Sequence, residues 1–226
     1  MQDYRHRFLQ LALRADALSF GEFTLKSGRS SPYFFNAGRF DSGAALAALA
    51  GCYADRVDVA GMEFDLLFGP AYKGIPLATA LACEYARRGR DLALACNRKE
   101  TKSHGEGGAL IGAALAGRRV LIVDDVITAG IAVRESLAII RQAGATPVGI
   151  AIALDRQERV SDDDPRSAAQ TLAEDQQLPV IAIATLDDLL DFVGQHHTHA
   201  GERQRLQAYR QRYGSGYPQR DPVSGA

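Results

Sequence analysis

Apolar residues along this chain follow two rhythms, and their alternation lays out the fold. The run Val120 to Val123 is short, β-branched and unbroken, the pattern of a strand buried on both faces of a parallel sheet. Just beyond it Val133, Leu137 and Ile140, with Ala138 between them, recur at helical spacing. The same exchange continues in both directions, with strands expected at 65–69, 92–97, 147–154 and 180–184 and helices at 74–88, 130–143 and 187–195. An Ala/Leu-rich stretch from 42 to 60 reads as a further helix, and residues 3–17 as a shorter amphipathic one. Between these two, residues 20–36 hold a pair of extended stretches punctuated by Gly28, Ser30, Ser31 and Pro32, the signature of a hairpin cap. Strand and helix in alternation specify an α/β fold with a mostly parallel twisted sheet covered on both faces.

Residues 1–198 are expected to form a single domain, with its cap drawn mainly from 1–40. From 199 onward the chain turns charged and Gln-rich, which suits one more exposed helix. The last stretch, 214–226, has too few apolar residues to pack and is expected to fray.

Composition narrows the function mainly by exclusion. With 26 basic and 27 acidic residues, the net charge of −1 sets up no global field for nucleic acid or an anionic membrane. Cys52, Cys83 and Cys96 are widely spaced in apolar surroundings, so neither a zinc site nor a disulfide framework is indicated. The N-terminus lacks the apolar stretch of a signal peptide, and no run approaches the roughly 20 apolar residues of a membrane span. A cytoplasmic location with no membrane partner is the expectation. His196, His197 and His199 lack the acidic or cysteine companions of a metal site.

The chemistry concentrates where the strand 120–124 ends in two carboxylates, Asp124 and Asp125, before Thr128, Ala129 and Gly130 open a helix. A helix start offers unpaired N–H groups and a positive dipole end, both suited to a phosphate. The acids would repel that phosphate, so their partners are ribose hydroxyls, a metal or developing positive charge. The alternative is a strand end with two solubilising acids. Neither a Walker A loop nor a G-x-G-x-x-G fingerprint occurs. Lys73 follows the strand at 65–69 in the sequence Gly69-Pro-Ala-Tyr-Lys-Gly74, a tight loop whose amides can wrap a pyrophosphate. Arg98, Lys99, Lys102 and His104 lie among glycines in 98–108, which reads either as a solvated loop or as a cationic lid.

Val123 to Gly130 resembles the phosphoribosyl-pyrophosphate motif of the type I phosphoribosyltransferases. Four more blocks, Gly21 to Gly28, Ser31 to Asn36, Phe68 to Gly74 and Asn97 to Gly107, resemble the orotate phosphoribosyltransferase branch and stand in that family's order. The resemblance covers residues 1 to 195 and implies the type I fold with an N-terminal hood. It implies transfer of the phosphoribosyl group from 5-phosphoribosyl 1-pyrophosphate to orotate, with Mg2+ held mainly by substrate and helped by Asp124 and Asp125.

By the same resemblance Tyr72, Lys73, Arg98 and Lys99 belong to the pyrophosphate side. Asp124 and Asp125 hold the ribose hydroxyls, and the stretch Val126, Ile127, Thr128, Ala129, Gly130, Ile131 and Ala132 receives the 5′-phosphate. Phe34, Phe35, Thr128 and Arg156 approach orotate, and Lys26 approaches both phosphoribosyl pyrophosphate and orotate. Lys73, Lys102, His104, Asp124 and Asp125 are the expected catalytic set, with Lys99, Lys102 and His104 reaching the neighbouring subunit of a homodimer with shared active sites. A cis peptide is expected at Ala71-Tyr72. Members of that family often carry Thr where this chain has Ile131, which removes one hydroxyl contact to the 5′-phosphate and leaves the backbone amides. The alternatives are a purine phosphoribosyltransferase, which would share the acidic motif, and a regulator that senses the sugar phosphate without catalysis.

Overall fold

The computed structural model describes residues 3–25, 27–99, 110–161, 163–195 and 200–216. Helix α1 (Tyr4–Arg14) is capped by Asp3, and the chain then forms an antiparallel hairpin of β1 (Leu18–Thr24) and β2 (Ser30–Phe35). Helix α2 (Gly43–Val59) starts at Ser42, whose hydroxyl accepts from the Ala45 N–H. Next come β3 (Leu66–Gly69), α3 (Gly74–Arg87), β4 (Ala93–Asn97), β5 (Leu110–Gly112), β6 (Arg119–Asp124), α4 (Ile131–Gln142) and β7 (Thr146–Asp155). The remaining elements are α5 (Ala168–Gln176), β8 (Val180–Thr185), α6 (Leu186–Gly194) and α7 (Ala200–Tyr213).

The main sheet runs β5-β4-β3-β6-β7-β8, parallel except for β5, which pairs antiparallel with β4. Period-two alternation divides its side chains between two cores. Leu67, Leu121, Val123, Ala151 and Ile183 join one with α2, α3 and α6. Leu66, Phe68, Ile122, Ile150 and Ala182 join the other with α4 and α5. Both faces are thus buried, which is why these strands read as unbroken apolar runs.

From β3 the chain crosses through α3 to β4 on one side, and the next parallel strand, β6, lies on the other side of β3. The carboxyl ends of β3 and β6 therefore flank the point where strand order reverses, the place at which open α/β sheets bind ligands.

Three features differ from the sequence expectation. β5 and α5 were not foreseen. β5 is three residues long, too short for a periodic signal, and α5 buries only Ala169 and Leu172. The C-terminal helix exists, but it is not simply exposed: Leu206 and Tyr209 are buried in the larger core. The stretch expected to fray begins with anchored residues, since Gly214 bridges to Glu158 and the Ser215 N–H donates to Gln157 O at 2.7 Å. Its remainder, 217–226, lies outside the described residues, as do His196, His197 and His199.

Candidate active site

Two turns at the switch point bring the charges together. Between β3 and α3, the glycines permit backbone contact that no side chain would allow: a Cβ on Gly69 would stand 2.5 Å from Gly74 O, and one on Gly74 would stand 2.7 Å from Val123 O. The loop is thereby pressed against β6. Asn97, buried at the end of β4, accepts the Ala71 N–H at 2.8 Å, and the Ala71-Tyr72 peptide is cis, as the family resemblance implies. Tyr72 and Lys73 are left exposed above the sheet edge, with Lys99 Nζ 5.0 Å from the Tyr72 ring centroid.

Across the switch point, the two carboxylates are both buried and differ in their partners. Asp124 is buried; Oδ1 accepts the Asp125 N–H at 2.9 Å, and its backbone carbonyl accepts the Tyr53 hydroxyl at 2.7 Å. Burial first, and then the neighbouring Asp125 charge, push its carboxyl up to about 7. Near neutrality Asp124 can therefore accept or donate a hydrogen bond. Asp125 accepts the Val126 N–H on Oδ1 and Lys73 Nζ on Oδ2, each at 2.9 Å. The Lys73 side chain is 58 % exposed, so this pair contributes little and the ammonium can move toward an anion at small cost.

From there the chain passes Thr128 and Ala129, both exposed, to Gly130. Gly130 stands at φ 68, a left-handed conformation that leads into α4, whose N-terminus carries no side-chain cap. Uncapped N–H groups and a left-handed turn make an anion cradle out of backbone alone. Ile131 is 63 % exposed beside it.

The neighbouring strand supplies a cation of another kind. The Ala153 N–H donates to Asp125 O at 2.9 Å, and β7 then carries on to Arg156, whose side chain is only 11 % exposed. Its guanidinium lies over the Tyr33 ring at 4.5 Å, donates to Ser31 Oγ at 3.3 Å and pairs with Glu158 at 2.6 Å. The expected aromatic pair of β2 separates. Phe34 is 43 % exposed and stacks on Phe23 at 5.5 Å, whereas Phe35 turns into the core against Phe8 and Phe40. Alternation along a strand requires this, because adjacent residues face opposite sides. Phe34 is thus the exposed aromatic of the pair.

Arranged in this way, the edge offers an anion cradle, two buried acids, a movable lysine and a dry arginine. A family model described as the phosphoribosyl transferase domain matches residues 40–174. Orotate phosphoribosyltransferase from Xanthomonas axonopodis pv. citri is 71% identical over 215 residues, 95% of this chain and 98% of that one. The chain belongs to the orotate phosphoribosyltransferase family. The enzyme of that name from Stenotrophomonas maltophilia is 67% identical over 214 residues, again 95% of this chain and 98% of that one. Among solved structures, the orotate phosphoribosyltransferase of Francisella tularensis superposes with a TM-score of 0.83 at 40% identity, covering 92% of this chain and 99% of that one.

Asp124, Asp125, Lys73, Tyr72 and Lys99 gather around the β3 and β6 ends, and Arg156 and Phe34 stand on the hood side. Lys26, Lys102 and His104 lie outside the described residues. Sequence reasoning gave no role to Tyr53, Asn97, Tyr33 or Glu158, which support the site from within. Asn97 had a signal: it is a polar residue ending an apolar strand next to β3. Tyr53 had none, because its partner is a backbone carbonyl 71 residues away.

Among the described residues, no helix is long and apolar enough to cross a membrane, and no group of three or more His, Cys, Asp or Glu is placed to hold a metal ion.

Proposed function

We propose that this chain transfers the phosphoribosyl group of 5-phosphoribosyl 1-pyrophosphate to orotate, giving orotidine 5′-monophosphate and pyrophosphate on the route to UMP. It acts in the cytoplasm as a homodimer that uses Mg2+. The observation that carries this reading is the pair Asp124 and Asp125 at the switch point, opposed by Lys73 and followed by the uncapped start of α4. The 5′-phosphate takes the backbone N–H groups of 126–132, the ribose hydroxyls take the two acids, and Tyr72, Lys73 and Arg98 meet the pyrophosphate. Orotate lies against Phe34 with Thr128 nearby, and its carboxylate meets Arg156.

As the bond from ribose C1 to pyrophosphate lengthens, positive charge grows on the ribose beside the acids. Negative charge grows on the leaving group beside Lys73. Orotate N1 attacks from the opposite face and gives up its proton to solvent, so the N1–C1 bond forms as the bond to pyrophosphate breaks and the anomeric carbon inverts. No protein nucleophile takes part; the catalytic work is placement and electrostatics in a partly dry site. The resemblance adds Lys99, Lys102 and His104 from the partner subunit on the pyrophosphate side. Mixing inactive Lys102→Ala subunits with subunits inactivated at Asp124 and Asp125 should then restore turnover, since one hybrid site receives both intact halves. A mixture that exchanges subunits and stays inactive would remove the shared site.

The acids suit Mg2+, which takes hard oxygen donors, usually from one or two carboxylates completed by substrate oxygens and water. Asp124 Oδ1 and both Asp125 oxygens already serve the Asp125 N–H, the Val126 N–H and Lys73, so most of the coordination falls to substrate. When bound, Mg2+ neutralises and orients the pyrophosphate.

The deciding experiment follows the ultraviolet absorbance of orotate after addition of phosphoribosyl pyrophosphate and Mg2+, with adenine, hypoxanthine and uracil offered in parallel. Consumption of orotate alone is expected. Transfer only to another base would overturn the acceptor, and binding without transfer would favour a sensor of the sugar phosphate.

A further inference from the structure

The family model ends at residue 174, yet the segment that carries Arg156 is tied residue by residue to the chain beyond that boundary. Glu158 Oε1 accepts from Arg156 Nε at 2.8 Å and from the Tyr209 hydroxyl of α7 at 2.8 Å. Gln157, at φ 49, accepts the Ser215 N–H on its carbonyl, and its side-chain amide exchanges two hydrogen bonds with Asp187, which Arg210 of α7 also grips. The Arg159 N–H donates to Tyr213 O at 2.9 Å.

A guanidinium is a planar fork, and its use in recognising a carboxylate depends on which edge it presents. Here Glu158 takes Nε and Nη2, and the Tyr33 ring covers one face of the guanidinium plane. The orientation of the fork is thereby fixed before any ligand arrives.

We propose that Glu158, itself held by Tyr209, is a positioning residue that aims the Arg156 guanidinium at the carboxylate of the acceptor base, so that helix α7 is a working part of the acceptor site. This rests on the orotate reading above. The competing possibility is that Glu158 occupies Arg156 in place of the substrate carboxylate and must be displaced from it. The two have opposite signs.

The test measures KM for orotate, KM for phosphoribosyl pyrophosphate, kcat and Tm in Glu158→Ala, Glu158→Gln and Tyr209→Phe. Positioning requires an oxygen that accepts from Nε and Nη2, which Gln keeps and Ala lacks. Glu158→Ala should raise the orotate KM about tenfold, Glu158→Gln should restore it to within about threefold, and Tyr209→Phe should raise it about threefold. KM for phosphoribosyl pyrophosphate should stay unchanged in all three. A merely structural role would lower Tm and disturb both KM values together. A lower orotate KM in both Glu158 variants, or an unchanged one in folded protein, overturns the proposal. If Glu158→Ala does not fold, Tyr209→Phe still decides by the split between the two KM values. Wild-type protein that fails to consume orotate would sink the orotate reading, and this proposal with it; normal wild-type turnover with unmoved variants sinks the positioning alone.

Discussion

The two halves of the site are built in different ways. The half proposed for the sugar phosphate is local: Asp124, Asp125 and the turn to Gly130 are consecutive, and Lys73 comes from the adjacent strand end. The half proposed for the acceptor base is assembled from distance, since Arg156 leans on Ser31 and Tyr33 of β2 and on Glu158, which α7 in turn holds. A half made of contiguous backbone is fixed by the sheet itself. A half made of side chains from remote segments is fixed only when the whole fold is closed, and it can change its preference without disturbing the sheet. Charge at the first half should therefore govern turnover, and geometry at the second should govern choice of acceptor.

The largest expected effect tests the first half. Asp124→Asn keeps the acceptor for the Asp125 N–H but removes the charge, and should lower turnover by at least about a hundredfold. The same change should stabilise the protein. The Asp124 carboxyl is raised from 3.8 to about 7 by burial, so its contribution is fully present below the unfolded value and is lost as pH rises through about 7. Asn mimics the protonated form at every pH. Denaturant unfolding should show no advantage for the variant near pH 4 and an advantage of at most about 4 kcal/mol at pH 8. A variant less stable than wild type at pH 8 would refute the buried-charge account.

Next come two crossed substitutions. Lys73→Ala should raise KM for phosphoribosyl pyrophosphate or lower turnover by roughly 10- to 100-fold, with KM for orotate little changed; Arg156→Ala should do the reverse, at a similar size. Steady-state kinetics with each substrate varied in turn would check both. If both variants moved both constants equally, the division into halves would fail. A finer cross uses the aromatic pair. Phe35→Ala should destabilise by about 3 to 5 kcal/mol because its ring is in the core. Phe34→Ala, exposed, should leave Tm close to wild type and weaken orotate binding several-fold. Thermal melts and orotate KM measured together separate them.

The same contrast explains what could be read in advance. The sheet was legible because Val120 to Val123 and its neighbours are buried on both faces, which leaves an apolar run with no competing reading. The sugar-phosphate half was legible because its residues are contiguous, so acids, turn and helix start appear in order. In the acceptor half, Arg156 and Phe34 were reachable only through the family resemblance, since nothing near them in sequence names a partner. Phe35 was named with Phe34 by the same resemblance, and strand alternation set them on opposite faces. Glu158 and Tyr209 left no local trace at all: they meet across 51 residues, through a helix whose charged composition read as exposed.

The smallest effect comes from Tyr53, and it measures how far the local half depends on the rest of the fold. Its hydroxyl donates to the backbone carbonyl of Asp124 from α2, inside the core and away from any ligand. Burial, with the charges of Asp125 and Asp124 adding to it, drives the Tyr53 phenol well above its ordinary value, so it remains a donor across the working range. Tyr53→Phe removes that bond and leaves a buried carbonyl short of one partner, at a cost of about 1 to 3 kcal/mol in stability. Asp124 is itself paired with Ile152 of β7, on a strand that β3 holds from the other side up to Ile122, so the carboxylate should move little. Turnover should fall less than about threefold while Tm drops by several degrees. A large loss of turnover with Tm unchanged would mean that the acid pair is aimed from α2, and the sugar-phosphate half would then be as dependent on distant side chains as the acceptor half.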